Sequence, residues 1–151
     1  MAGLICDVNI PQASLTSGTT YNLLAGTAPA NQRIRIRGIK FFGTANSAQT
    51  PGLLQFCTAS SGGSGGSTIT PKGRDQLGET TETPQSTWLN APSSAPSGIV
   101  AFNSAEVNPQ SGIYESYPDP EGYFIKGGGY FVLQFTPQYT GNYAGTLTIE
   151  E

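Results

Sequence analysis

The residues best placed to do chemistry are three arginines at alternate positions, Arg33, Arg35 and Arg37, in the stretch QRIRIRGIKFFG from Gln32 to Gly43. A strand sends successive side chains to opposite faces, so the arginines share one face while Ile34 and Ile36 share the other. On a helix the same arginines would scatter around the cylinder. Guanidinium groups crowded on one strand repel one another unless an acid lies opposite. The basic face is therefore a candidate contact surface for an acidic partner or a neighbouring subunit, and otherwise a solvated guard on an edge strand. Three of the chain's seven basic residues lie there.

Catalysis has fewer resources. The chain contains no histidine, which removes Ser-His and Cys-His nucleophile pairs and imidazole metal ligands. The GGSGG run follows a strand pattern but lacks the lysine and the helix start of a phosphate cradle. Glu115, Asp119 and Glu121 cluster in sequence, as do Glu79 and Glu82. Paired carboxylates can hydrolyse glycosides, and Asp119 with Glu121 has the oxygen ligands that calcium takes. Both groups read as solvated turn acids, and no spaced Asx-rich loop supports a metal. The chain is expected to be a non-enzyme with no catalytic residue, cofactor or metal. Tyr114, Tyr117, Tyr123, Tyr139 and Tyr143 lie near turns, where a ring with a hydroxyl suits contact with sugar or protein, or simply a sandwich rim.

The elements that must position these residues read as strands throughout. Gly38 breaks the alternation of the arginine strand, and Ile39 and Phe41 take up the opposite parity, as a bulge or bend at a glycine requires. Tyr130 to Thr136 alternates, with Phe131, Leu133 and Phe135 inward. Asn142 to Glu151 alternates too, with Tyr143, Leu147 and Ile149 inward. Gly52 to Thr58 is apolar enough for burial on both faces. Leu4 to Ile10 is a short strand ending at Pro11, followed by a polar linker at 14–20. Leu4, Ile5 and Val8 are therefore candidate partner contacts on an N-terminal arm of about 1–13 that adds to a neighbour's sheet edge, the alternative being pairing inside its own sandwich. Residues of about 60–98 form a long Gly/Ser/Thr/Pro-rich insert, in which Trp88 and Leu89 dock onto the core. About eight to ten strands separated by Gly/Pro turns, with no helical period, argue a single all-β domain over 1–151, an antiparallel sandwich of jelly-roll type.

Composition agrees. Charged residues make 11% of the chain, against about 25% in an average domain, and Ser, Thr, Gly, Asn, Gln and Pro replace them. A weakly charged polar surface suits coverage by partners. The net charge of −3 argues against non-specific nucleic-acid binding. No apolar run reaches the roughly 18 residues of a membrane span, and MAGLICDVNI has neither the basic start nor the long apolar core of a secretion signal. With no such signal, Cys6 and Cys57 read as reduced and buried.

In layout the chain resembles the small β-sandwich decoration or cement proteins of tailed bacteriophage capsids. Three segments carry the resemblance: APANQRIRIRGIKFFG, the Ser/Gly/Thr/Pro-rich middle, and GGGYFVLQFTPQYTGNYAGTLTIEE with its terminal acidic pair. The insert at 60–98 departs from the pattern. The resemblance implies a virion structural protein, made in the host cytoplasm, that binds the outer capsid surface as a homotrimer. Its partner would be the major capsid protein, and its role to stabilise contacts between coat subunits, with no nucleic acid and no membrane involved. The alternative is a carbohydrate- or receptor-binding jelly-roll module of a phage tail, using the loop tyrosines and Trp88.

Overall fold

A computed structural model describes residues 3–44, 47, 50–74, 84–118 and 122–151. Twelve strands are found among them. They are β1 (Ile5–Leu15), β2 (Tyr21–Thr27), β3 (Ile34–Gly43), β4 (Gly52–Ala59), β5 (Ser67–Ile69), β6 (Lys72–Gly73), β7 (Thr87–Asn90), β8 (Val100–Val107), β9 (Ile113–Ser116), β10 (Tyr123–Ile125), β11 (Tyr130–Thr136) and β12 (Gly141–Glu150). One sheet has the order β10–β3–β12–β1–β6, with β9 also on β3, and the other β5–β7–β2–β11–β4–β8.

The pairing is nested. β1 lies against β12, β2 against β11, β3 against β9 and β10, and β4 against β8, all antiparallel. A chain drawn into one long hairpin and rolled so that successive strand pairs alternate between two sheets has this order. That is the jelly roll, and the expected fold class holds. The strands beyond the expected number come from the insert: β5 and β7 extend one sheet past β2, and β6 extends the other past β1.

Period-two alternation builds the core. Ile34, Ile36, Ile39 and Phe41 from β3, Leu147 and Ile149 from β12, and Phe131, Leu133 and Phe135 from β11 are all buried. The Phe41 ring meets Phe135 edge-on at 4.8 Å and stacks on Tyr143 at 5.9 Å. Trp88 is fully buried over Gly26, where a Cβ would come within 2.6 Å of the ring. Its indole nitrogen donates to Ser86 Oγ at 2.9 Å, and the Ser86 hydroxyl donates to the Glu151 carboxylate. That carboxylate also accepts the Gln85 amide at 2.7 Å, so the last residue pins the segment that delivers the tryptophan.

Two expectations change. Residues 5–13 do not stand apart as an arm, because β1 runs from Ile5 through Pro11 to Leu15 between β12 and β6 of its own sheet. A register shift between Ile10 and Ala13 places Pro11 at a bulge, the position in a sheet that tolerates a residue without an N–H. β4 is not buried evenly on both faces: Leu54 and Phe56 are core, while on the other parity Leu53 is exposed and Cys57 buried. The GGSGG run is a loop held within the domain. Gly63, Gly65 and Gly66 all have positive φ and interlock with residues 90–96, Ser64 bridging to Ser94. Side chains there would strike Ser93, Ser94 and Asn90.

Cys6 and Cys57 are free thiols, each fully buried, in opposite sheets. Burial pushes the Cys57 thiol up, which lowers the thiolate fraction available for attack. The native protein is therefore expected to react slowly with an aromatic disulfide reagent, and to give two thiols per chain once unfolded without reductant. Fast native titration would place a cysteine at the surface.

Candidate functional site

The outer face of the sheet centred on β12 gathers most of the charged residues among the described ones. Once Gly38 interrupts β3, the register with β12 shifts: Ile36 pairs with Ile149 but Gly38 with Thr148, leaving Arg37 as the extra residue of a bulge. The sequence placed the bulge correctly. Gly38 also lets β9 approach, since a Cβ there would lie 2.7 Å from the Glu115 carbonyl oxygen.

The three arginines have separate environments. Arg35 is buried, and its guanidinium donates to the Pro118 carbonyl at 3.2 Å and to Glu150 Oε2 at 3.4 Å. Arg37 donates to the same Glu150 oxygen at 2.6 Å. The acid that the crowded arginines required therefore lies on β12 of the same chain. Arg33 is exposed and stacks over the Phe124 ring at 4.3 Å. Of the three, Arg33 is the one left open to a partner. Breaking a buried pair costs about 3–5 kcal/mol and an exposed one about 0–1 kcal/mol. The Arg35 side chain is 8% exposed and that of Glu150 21%, so Glu150→Ala is expected to cost about 2 kcal/mol, between those limits. Arg33→Ala is expected to cost under about 0.5 kcal/mol. Urea unfolding of both variants checks this, and equal losses would contradict the division of roles.

Leu4, Ile5 and Val8 divide similarly. Val8 is fully buried in the core, Leu4 packs against it part-buried, and Ile5 lies half-buried on the outer face. Beside Ile5, Asp7 accepts two hydrogen bonds from Arg74, at 2.9 and 2.8 Å, and one from the Thr148 hydroxyl at 2.9 Å. Arg74 also donates to Thr148 at 3.0 Å, and the bond to Asp7 holds its guanidinium more firmly protonated. Sequence reasoning missed this network because Arg74 comes from the insert and reaches Asp7 only through β6.

Between the Arg74 side and β9 lies a cavity of about 280 Å³. Its floor is Thr146, Thr148 and Gly38, and its rims carry Asp7, Arg74, Arg37, Lys40, Tyr114 and Glu115. Tyr114 is 77% exposed. Tyr117 is part-buried and donates to Glu115 at 2.7 Å; burial first, and then that carboxylate, push its phenol up. Tyr143 is core, donating to the Tyr139 carbonyl at 2.8 Å. Trp88, expected as a possible sugar platform, is closed off from solvent by its place in the core. Asp119 and Glu121, and the pair Glu79 and Glu82, lie outside the described residues. No three Asp, Glu or Cys side chains converge as a metal site among the described residues.

A second feature is apolar. At the side where β8 and β10 close the sandwich, Val100 is 63%, Phe124 47% and Phe102 40% exposed. Phe102 packs on Tyr123 at 5.2 Å, and Tyr123 on Tyr117 at 5.3 Å. β8 is the terminal strand of its sheet among the described residues; five of its eight residues are exposed, and one of the eight, Glu106, is charged.

Fold and site together define a jelly-roll β-sandwich with a polar groove across one outer face and an aromatic rim along one side. No protein-family model matches the chain, and no curated protein or solved structure does either.

Proposed function

We propose that the chain is a virion structural protein, a decoration or cement protein that binds the outer surface of a tailed-phage capsid as a homotrimer and ties neighbouring coat subunits together. The observation that carries this reading is the side rim. Val100 and Phe102 stand exposed on β8, whose other edge pairs with no strand among the described residues, and across the rim Phe124 is exposed on the outer face of β10 with Arg33 stacked on it. Aromatic residues and arginine are the types that dominate interface energetics, and clustered exposed apolar groups mark contact sites. A free strand edge can also accept an extended segment of a neighbour.

The test uses the full chain, added to phage capsids that lack it. Sedimentation should show a species three times the 15.8 kDa chain, and the protein should pellet with the particles. Phe102→Glu with Phe124→Glu should abolish both while keeping the urea transition. A monomer at every concentration that never pellets with capsids would overturn the reading.

A further inference from the structure

We infer that the groove on the outer face of the β12 sheet binds an acidic sugar residue, a small polyol carrying one carboxylate. The inference stands on side chains that the rim described above does not use, and it holds whether or not the domain sits on a capsid.

Register brings the lining together. Tyr114 pairs with Lys40, and Lys40 with Thr146, so these three form one row across three strands. Adjacent strands lie about 4.8 Å apart, so the row spans about 10 Å. The next row is Ser116, Gly38, Thr148 and Asp7. Gly38 contributes no side chain between Ser116 and Thr148, and the cavity is open there. At about 280 Å³ it falls just below the roughly 300–1,000 Å³ of sites for drug-sized ligands. It therefore takes one small unit rather than a chain.

The chemistry of the lining selects the ligand. The Arg37 charge is answered by Glu150 and the Arg74 charge by Asp7. Glu115 already accepts from Tyr117. The two ion pairs present fixed donors and acceptors with little net charge, and Glu115, paired with the core residue Ile39, has the parity of the opposite face of β9 from Tyr114 and Ser116. The groups still unspent among the described residues are the Lys40 ammonium and the hydroxyls of Tyr114, Ser116 and Thr146. All four line the same cavity. One unanswered cation calls for one anionic group. Three hydroxyls with both donor and acceptor capacity call for ligand hydroxyls. The exposed Tyr114 ring offers a face for the C–H surface of a sugar ring. A multiply charged anion such as phosphate fits less well, because the Asp7 carboxylate borders the same space.

Amide chemical shifts of the full chain, titrated with sodium glucuronate, test this. Saturable shifts confined to Lys40, Tyr114, Ser116 and Thr146 are expected, with glucose binding about tenfold more weakly for want of the charge-assisted contact. Lys40→Ala should erase the preference for the acid. Tyr114→Ala should weaken both sugars and leave unfolding unchanged, since the residue is exposed. No saturable shift with glucuronate would overturn the inference. Equal binding of glucose would overturn the acidic class. Acetate or inorganic phosphate moving the same amides as strongly would reduce the groove to a bare anion site.

Discussion

Gly145→Val is expected to remove more than about 3 kcal/mol of stability, the upper end of what forcing extra volume into a packed interior costs. Gly145 lies in β12 at the centre of its sheet, paired with Phe41 of β3 on one side and Ile10 of β1 on the other. A Cβ there would run into the Lys40 carbonyl oxygen and lie 3.0 Å from the Phe41 Cα. Both obstacles are backbone, held in a ladder that runs from Gly43 to Arg35. A side chain could swing aside, whereas this ladder relieves the clash only by parting β12 from β3. Domain stabilities of about 5–15 kcal/mol leave little margin for that. Gly145→Ala, with the smallest possible side chain, should already cost about 1–3 kcal/mol by urea unfolding. An alanine variant within about 0.5 kcal/mol of the parent would mean that the strands do not approach so closely.

Such a position shows where sequence reading stops. The fold was legible because period-two alternation is strong in β3, β11 and β12, and because glycine and proline punctuate nearly every turn. The bulge at Gly38 was legible from the change of parity alone. The clash that keeps residue 145 a glycine was not, since it depends on a carbonyl about a hundred residues earlier in the chain. The same limit hid the fate of the segment from Ile5 to Ile10. Pro11 looked like a stop, but a proline placed in a bulge leaves a strand intact, and only the register with β12 reveals the bulge. The arginine face was read correctly in direction, with isoleucines in and arginines out. Its partner Glu150 was read as outward-facing too, but the sequence carries no sign that β12 lies beside β3. The groove was the least legible feature. Asp7, Lys40, Tyr114 and Thr146 come from four strands and Arg74 directly follows a fifth, and none of them belongs to a motif.

Removal of residues 1–10 is expected to abolish the cooperative unfolding transition altogether. The segment carries Cys6, Val8 and Ile10, which are 0%, 0% and 2% exposed. Burying one such aliphatic side chain contributes about 1.5–3 kcal/mol, so losing Val8 and Ile10 alone approaches the lower bound of a domain's total stability. The truncation also strips β12 of its pairing from Ile5 to Ile10, leaves β6 without a neighbour, and takes away the carboxylate of Asp7 that holds Arg74. The backbone exchange between Leu4 and Glu151 goes as well, loosening the residue that anchors Ser86 and, through it, Trp88. Ile10→Ala separates packing from truncation: it should cost about 2–5 kcal/mol while keeping a two-state transition. An exchangeable arm predicts the opposite pattern. The truncated chain would then unfold within about 1 kcal/mol of the parent, a surface-sized change, and lose only its binding to particles. Far-ultraviolet circular dichroism followed through a urea series distinguishes the two, and a truncated chain with an intact transition would return these residues to an arm.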